Sequence, residues 1–121
     1  TIRLFKSHKE GFGDGEQSRD FTYVENAVRA NLLAAEVELK DAPVVNIACG
    51  ARATLNEIIA LLNDLTQQHL PAQYAPERAG DIRHSHASIA RATEVLDYTP
   101  NVDVREGLRR TLEWYKAQRK I

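Results

Sequence analysis

The sequence contains one cysteine, Cys49, no methionine and no long run of apolar residues. A single cysteine excludes an internal disulfide and favours a reducing compartment, so the cytoplasm is the expected location. About 18 consecutive apolar residues would be needed for a membrane-spanning helix, and neither such a run nor a secretory signal is encoded. A chain that begins at Thr1 and has no methionine is expected to be processed or part of a longer protein.

An excess of charge of one sign is also lacking. Sixteen Lys and Arg residues oppose seventeen Asp and Glu residues, for a formal net charge of −1. Because domains that neutralise nucleic-acid phosphates carry a marked basic excess, this balance argues against a nucleic-acid partner. With 121 residues, 43% of them hydrophobic and 27% charged, the chain is typical of one soluble globular domain over residues 1–121.

The first helix is predicted over Tyr23 to Lys40, where apolar residues recur every three or four positions. Thr22 and Glu25 stand at the spacing of a capping box and predict where this helix begins. Such spacing gives a helix one apolar stripe, which is expected to face the core. The residues of the predicted stripe are Val24, Ala27, Val28, Asn31, Leu32 and Ala35.

Three further helices are predicted by the same spacing, from Thr54 to before Pro71, from Ser88 to Leu96, and from Asp103 onward. Strands are predicted over 43–49, a β-branched run bounded by proline and glycine, and over 72–75. The expected fold is therefore α/β or α+β, with about four helices packed on a small sheet of three or four strands.

Two polar loops hold the candidate binding residues. The segment GFGDG, residues 11–15, has Glu16 where a dinucleotide fingerprint requires a third glycine, so a turn is the expected structure. Arg19 and Asp20 follow just before a predicted helix, where an arginine can grip a phosphate, although a solvated ion pair is the alternative.

The second loop reads PERAGDIRHS from Pro76 and brings Arg78, Asp81 and Arg83 within six residues. Two arginines suit a diphosphate, and a carboxylate can accept hydrogen bonds from ribose hydroxyls. Because His84 and His86 have no further ligands nearby, no metal site is expected. A Tyr with Lys four residues later is absent, as is a GxSxG nucleophile elbow, so no catalytic residue is assigned.

Five segments in order carry a resemblance to a known family. They resemble the C-terminal, substrate-binding part of the extended short-chain dehydrogenase/reductases, specifically the NAD-dependent nucleotide-sugar epimerases and dehydratases of the UDP-glucose 4-epimerase type. The resemblance extends from about Gly11 to Tyr115. The segments are GDGEQSRDFTYVEN from Gly13, VVNIACG from Val44, TLNEII from Thr54, PERAGDIRHS from Pro76 and GLRRTLEWY from Gly107.

The resemblance implies roles for four residues in binding a nucleotide-diphosphate sugar such as a UDP-sugar. It implies that Arg19 contacts the nucleotide or its phosphates, that Phe21 lies near the nucleotide, that Arg78 binds the diphosphate and that Asp81 binds a ribose hydroxyl. Asn26 stands where the family usually has an acidic residue. The family's N-terminal Rossmann half, which carries NAD and the Tyr/Lys pair, has no counterpart in the sequence.

Two hypotheses follow from this resemblance. In the first, the chain is the nucleotide-sugar-binding portion of an epimerase or dehydratase, binds no cofactor by itself and is not catalytic alone. In the second, it is a truncated homologue that acts as an oligomeric structural or interaction module. Separation from the family's other half is expected to expose an apolar patch, and a symmetric homo-oligomer is the commonest way to cover one.

Overall fold

The computed structural model describes residues 2–5, 13–39, 41–76, 82 and 84–119. These residues form four helices and four short strands, which confirms the predicted α/β class. The chain divides into two compact units, residues 1–19 with 52–85 and residues 20–51 with 86–121. In chain order the elements are β1 (Ile2–Phe5), β2 (Ser18–Arg19), α1 (Val24–Glu36), β3 (Ala53–Thr54), α2 (Leu55–Thr66), β4 (Ala72–Ala75), α3 (Ala90–Leu96) and α4 (Val104–Arg119).

The first unit contains all four strands, arranged as two pairs rather than one sheet. Strand β1 lies parallel to β4, with Ile2 opposite Ala72 and Leu4 opposite Tyr74. Strand β2 lies antiparallel to β3, with Arg19 opposite Ala53. The predicted strand at 72–75 is therefore confirmed.

Helix α2 begins where its capping box predicts. The Thr54 hydroxyl accepts from the Glu57 backbone N–H at 3.1 Å, and the Glu57 carboxylate accepts from the Thr54 N–H at 2.7 Å. Its apolar face includes Ile59, which is buried. The helix ends at Gln67, which adopts the left-handed conformation and lets its N–H reach back to the last turn.

Replacing Thr54 with alanine is expected to lower the free energy of unfolding by about 1 kcal/mol, because the Glu57 N–H loses its acceptor. Thr66→Ala is the matched control, since the Thr66 hydroxyl donates only to carbonyls of its own helix. That bond contributes little, so the control should change stability by less than about 0.5 kcal/mol. Urea unfolding followed by circular dichroism measures both, and equal losses would contradict the capping role.

The second unit packs α1 and α3 around a small buried cluster. Its largest member is Tyr98, which is fully enclosed and whose hydroxyl donates to the carbonyl of Ala48 at 2.9 Å. Burial raises the pKa of Tyr98 above its usual value, so it stays a neutral donor. The cluster consists of Ala30, Ala92, Leu96 and Tyr98, with Leu33, Val37, Val45, Ile47, Ile89 and Val95 packed against it.

Helix α1 is oriented differently from its sequence prediction. Val24, Val28 and Leu32 of the predicted core stripe are 64%, 51% and 61% exposed. The face that packs on the core instead carries Asn26 and Ala30, with exposures of 0% and 3%. The predicted capping box is also wrong, because Tyr23 is the N-cap residue and makes no side-chain capping bond.

The strand predicted over 43–49 is wrong as well. Val45 and Ile47 are half-buried against the cluster while Val44 is 83% exposed, so burial alternates as it would along a strand. No strand among the described residues pairs with this segment. An alternating pattern thus predicts which side chains turn inward. It does not show whether a neighbouring strand is present to form backbone hydrogen bonds with the segment.

Helix α4 begins at Val104, where the Asp103 carboxylate accepts from the Glu106 N–H at 2.8 Å. Glu106 accepts hydrogen bonds from Arg109 and Arg110, and these bonds lower its pKa to about 2. Arg110 also pairs with Glu25 at the start of α1. Arg109 and Arg110 therefore engage carboxylates along an exposed surface of this helix.

Candidate functional site

Arg19 lies on β2, half-buried, in the first unit. Its Nη1 donates to the carbonyl of Ser18 at 2.9 Å, which holds the guanidinium beside the strand. Because side chains alternate along a strand, Arg19 and Ser18 point to opposite faces of the β2/β3 pair. The arginine is thus presented by a strand rather than by the loop that the sequence indicated.

Ser18 is joined to the last two residues of the second polar loop, His84 and Ser85. Its hydroxyl lies 2.7 Å from Nδ1 of His84, and its carbonyl accepts from the Ser85 N–H at 3.0 Å. Ser18 and His84 form a parallel β-bridge. Backbone and side chain together therefore attach residues 84 and 85 to the strand that carries Arg19.

Arg78 and Asp81 lie outside the described residues, as does Arg83. Their expected roles therefore stay predictions. Ile82, the described residue nearest to Asp81 in sequence, is 63% exposed.

Phe21 lies in the second unit and is half-buried. It lines an apolar cleft of about 150 Å³ together with Tyr23 and with Leu108 and Thr111 of α4. Gly107 forms part of the same wall, and a Cβ there would lie 3.0 Å from the Cβ of Tyr23. The structure thus assigns Phe21 a packing environment next to α4.

Asp20 is a structural carboxylate. It accepts the backbone N–H groups of Cys49 at 2.8 Å and Gly50 at 2.9 Å, and its side chain is only 5% exposed. His86 Nδ1 lies 3.8 Å from the same carboxylate. Two N–H donors to one carboxylate fix the turn at Gly50, whose φ of +69° suits glycine. The sequence allowed a solvated ion pair between Arg19 and Asp20. In the structure, the Asp20 carboxylate is bound to backbone N–H groups instead.

The glycines at 13–15 form a turn, as predicted. The Glu16 N–H donates to the Gly13 carbonyl at 3.3 Å, and Gly15 has a φ of +81°, as in a type II turn. A Cβ on Gly15 would lie 2.0 Å from Oδ1 of Asn56, so side-chain atoms fill the space that a cradle would offer to phosphate. Among the described residues of this turn, the space beside Gly15 is therefore filled by Asn56.

Ser18 and His84, on the side of β2 opposite Arg19, line a shallow polar hollow with Glu16, Arg52 and Glu57. The hollow contains both acidic residues, Glu16 and Glu57, and the basic Arg52. The Glu57 carboxylate already forms the capping box of α2. Across the described ranges, no three His, Cys, Asp or Glu side chains are grouped as a metal ion requires. The same residues include no helix long and apolar enough to cross a membrane.

Comparison with known proteins identifies the relatives of this chain. Residues 2–48 match the model of the NAD dependent epimerase/dehydratase family. UDP-glucuronate 4-epimerase of Thermodesulfobacterium geofontis is 31% identical over 106 residues, covering 87% of this chain and 32% of that protein. A putative UDP-glucose 4-epimerase of Methanocaldococcus jannaschii is 33% identical over 105 residues, covering 87% of this chain and 33% of that protein.

Solved structures extend the similarity along nearly the whole chain. UDP-glucose 4-epimerase of Thermotoga maritima with UDP-glucose is 38% identical with a TM-score of 0.84, covering 97% of this chain and 35% of that one. MoeE5 in complex with UDP-glucuronic acid and NAD is 34% identical with a TM-score of 0.83, covering 96% and 37%. The chain spans about a third of the length of the curated relatives it matches. It is thus similar to proteins of the NAD dependent epimerase/dehydratase family over about a third of their length.

Proposed function

We propose that this chain binds a nucleoside-diphosphate sugar and that Arg19, Arg78 and Asp81 are its principal contacts. Relatives at 34–38% identity have been solved with UDP-glucose and UDP-glucuronic acid, which supports a ligand of this class. Two guanidinium groups can neutralise a diphosphate through paired N–H donors, and the Asp81 carboxylate can accept from a ribose hydroxyl. Phe21 is proposed to lie near the nucleotide.

The observation that carries this proposal is the attachment of His84 and Ser85 to Ser18. Ser18 directly precedes Arg19, and His84 follows Asp81 by three residues. Three residues of extended chain span at most about 11 Å, and six residues, back to Arg78, at most about 22 Å. These limits on the distance from His84 support the proposal that Arg19, Asp81 and Arg78 contribute to one site.

Binding without turnover is the proposed activity of the chain by itself. Hydride chemistry requires a cofactor held against the substrate and a positioned acid or base. Asn56 fills the space beside Gly15 in the glycine-rich segment, and a Tyr with Lys four residues later is absent from the sequence. We therefore propose that this chain does not bind NAD. We also propose that the chain acts in the cytoplasm, because its single cysteine favours a reducing compartment.

Isothermal titration with UDP tests the proposal. Saturable binding with a dissociation constant of about 1 mM is expected, and UMP should bind more weakly because it lacks the second phosphate. Arg19→Ala and Arg78→Ala should each weaken UDP binding by at least about tenfold, since each removes a charged donor from the diphosphate.

Arg91→Ala is the matched control, because Arg91 is an exposed arginine on α3 and its loss removes the same charge from the chain. Its affinity for UDP should equal that of the wild type. Absence of heat at several millimolar UDP, or an equal loss in the control, would refute the nucleotide site. Saturable heat with NAD would refute the claim that the chain binds no cofactor.

A second function is favoured by a different observation, the exposed apolar stripe of α1. Val24, Val28 and Leu32 face solvent over two turns of one helix. Contiguous apolar surface of this kind usually marks an association site. We propose as the alternative that the chain is a self-associating module without enzymatic activity, and the two functions are compatible.

A further inference from the structure

Helix α1 is apolar on two opposite faces. Successive residues of a helix are 100° apart, so the buried Asn26 and Ala30 and the partly buried Leu33 centre on one side. Val24, Val28 and Leu32 centre on the side about 180° away. A helix with apolar residues on both sides is normally covered on both. Among the described residues, only the first face is covered.

The exposed face has the shape of a surface that can pack on itself. Val24, Val28 and Leu32 are spaced by four and form a ridge along the helix, and the smaller Ala27 and Ala35 lie beside them. A ridge of this spacing fits the groove beside the same ridge on another helix, at a crossing angle of about −50°. One copy of α1 thus provides both the ridge and the groove.

Charge at the edge of the face favours an antiparallel pair. Glu25 and Arg29 lie on the same flank, four residues apart, and both are exposed. When two antiparallel copies of α1 cross near Val28, the flank with Glu25 and Arg29 lies against the same flank of the partner helix. The two flanks run in opposite directions. Glu25 of each copy then lies opposite Arg29 of its partner, whereas a parallel pair would place this flank against Ala27 and Ala34.

Helix α4 adds aromatic surface to the same unit. Gly107 contacts Tyr23 at the start of α1, and Arg110 pairs with Glu25. Trp114 follows Arg110 by one turn, is 57% exposed and packs edge to face on Tyr115. One helix face alone is smaller than the roughly 800 Å² per partner of a stable interface. The exposed tryptophan of α4 is of the residue type that contributes most binding energy in interfaces.

We propose that the exposed face of α1, defined by Val24, Val28 and Leu32, packs antiparallel against the same face of a second copy, with Trp114 at the edge of the interface. This inference rests on the self-association proposed above and assigns it a surface. The dimer would be isologous, so its symmetry axis would pass close to Val28.

Sedimentation equilibrium of the 121-residue chain, together with two variants, tests this interface. The wild type should be a dimer, and Val28→Asp should raise the dissociation constant at least about 30-fold, because it places a carboxylate at the centre of the apolar contact. Val44→Asp makes the same change at a valine that is 83% exposed outside the helices, and it should leave the dissociation constant unchanged. Circular dichroism confirms that both variants are folded.

Fluorescence provides a second readout, since Trp114 is the only tryptophan. Dilution of the wild type should shift its emission to longer wavelength as the dimer dissociates, and folded Val28→Asp should show the shifted emission at every concentration. A wild-type dimer that Val28→Asp does not weaken would overturn the α1 surface but keep the self-association. A wild-type monomer at about 1 mM would overturn both.

Discussion

Replacement of Asn26 by alanine is expected to lower the free energy of unfolding by about 3 kcal/mol. The Asn26 side chain is fully buried in the second unit. Its amide donates to the carbonyl of Val102 at 2.7 Å and accepts from the N–H groups of Asn101 and Val102, each at 3.2 Å. Alanine would leave these backbone groups unpaired, and each buried group without a partner costs about 1–3 kcal/mol.

Urea unfolding at a concentration that gives monomer measures this loss. Asn31→Ala is the matched control on the same helix, because Asn31 is exposed and its amide donates only to the Ala27 carbonyl. The control should change stability by less than about 0.5 kcal/mol. A loss below about 1 kcal/mol for Asn26→Ala would contradict its role as the connection between α1 and residues 101–102.

The Asn26→Asp variant tests separately the hydrogen bond that the Asn26 side chain donates and the two that it accepts. An aspartate retains the acceptor for both N–H groups, but its complete burial and the Val102 carbonyl beside its second oxygen disfavour the charged form and raise its pKa in the folded state. A raised folded pKa gives stability that is present below the unfolded value near pH 4 and is lost as pH rises above it. The variant should therefore be closest to the wild type in stability at acid pH.

The role of Asn26 could not be predicted from periodicity alone. Periodicity identifies apolar residues on one face of α1, and the face it identified is the exposed one. The residue that anchors the buried face is polar, and its partner Val102 lies 76 positions away. The family resemblance did single out Asn26 as a departure from an acidic position, but no local signal connects it to the backbone at Asn101 and Val102.

The segment 43–49 and helix α1 differ from prediction for the same physical reason. The alternating pattern around Val45 and the stripe of Val24 and Val28 both indicate side chains that require cover. The pattern of apolar residues in a sequence does not show which surface packs against those side chains. The relatives are about three times as long, and no described residue of this chain pairs with 43–49 or covers the stripe.

Local signals were reliable where both partners lie within one turn. The Thr54 and Glu57 capping box is present, and Asp103 caps α4 as its spacing predicted. The equivalent spacing of Thr22 and Glu25 fails because the helix begins one residue later and Glu25 pairs with Arg110 instead. A tertiary contact 85 residues away in sequence thus replaced the local cap.

The candidate site was predicted in part. The turn at residues 13–15 was predicted from residue type and spacing, and the binding role of Arg19 stays a prediction. The contact of Ser18 with His84 was missed, since it joins residues 66 positions apart and neither residue type specifies a partner. The sequence offers one weak signal for this contact. Ser18 and Asp20 are two residues apart, as are His84 and His86, and this is the spacing of side chains on one face of neighbouring strands.

Gly15→Ala is expected to have the largest effect on the first unit, a loss of about 4 kcal/mol in the free energy of unfolding. A side chain at a φ of +81° is strained by about 1 kcal/mol, and the new Cβ would lie 2.0 Å from Oδ1 of Asn56. Asn56 would have to move and lose its bonds to the Asp14 carbonyl at 2.9 Å, Glu16 at 3.0 Å and the Tyr74 hydroxyl at 2.8 Å. Each of these bonds contributes about 1 kcal/mol.

Gly13→Ala is the matched control two residues earlier, because a Cβ there meets only the flexible Glu16 side chain at 3.3 Å. Its loss should stay below about 1 kcal/mol. Asn56→Ala alone should be destabilising, but combined with Gly15→Ala it removes the clash, so the double variant should lose clearly less than the sum of the single losses. Strict additivity in urea unfolding, or equal losses for the two glycine variants, would show that Asn56 does not fill the space next to Gly15.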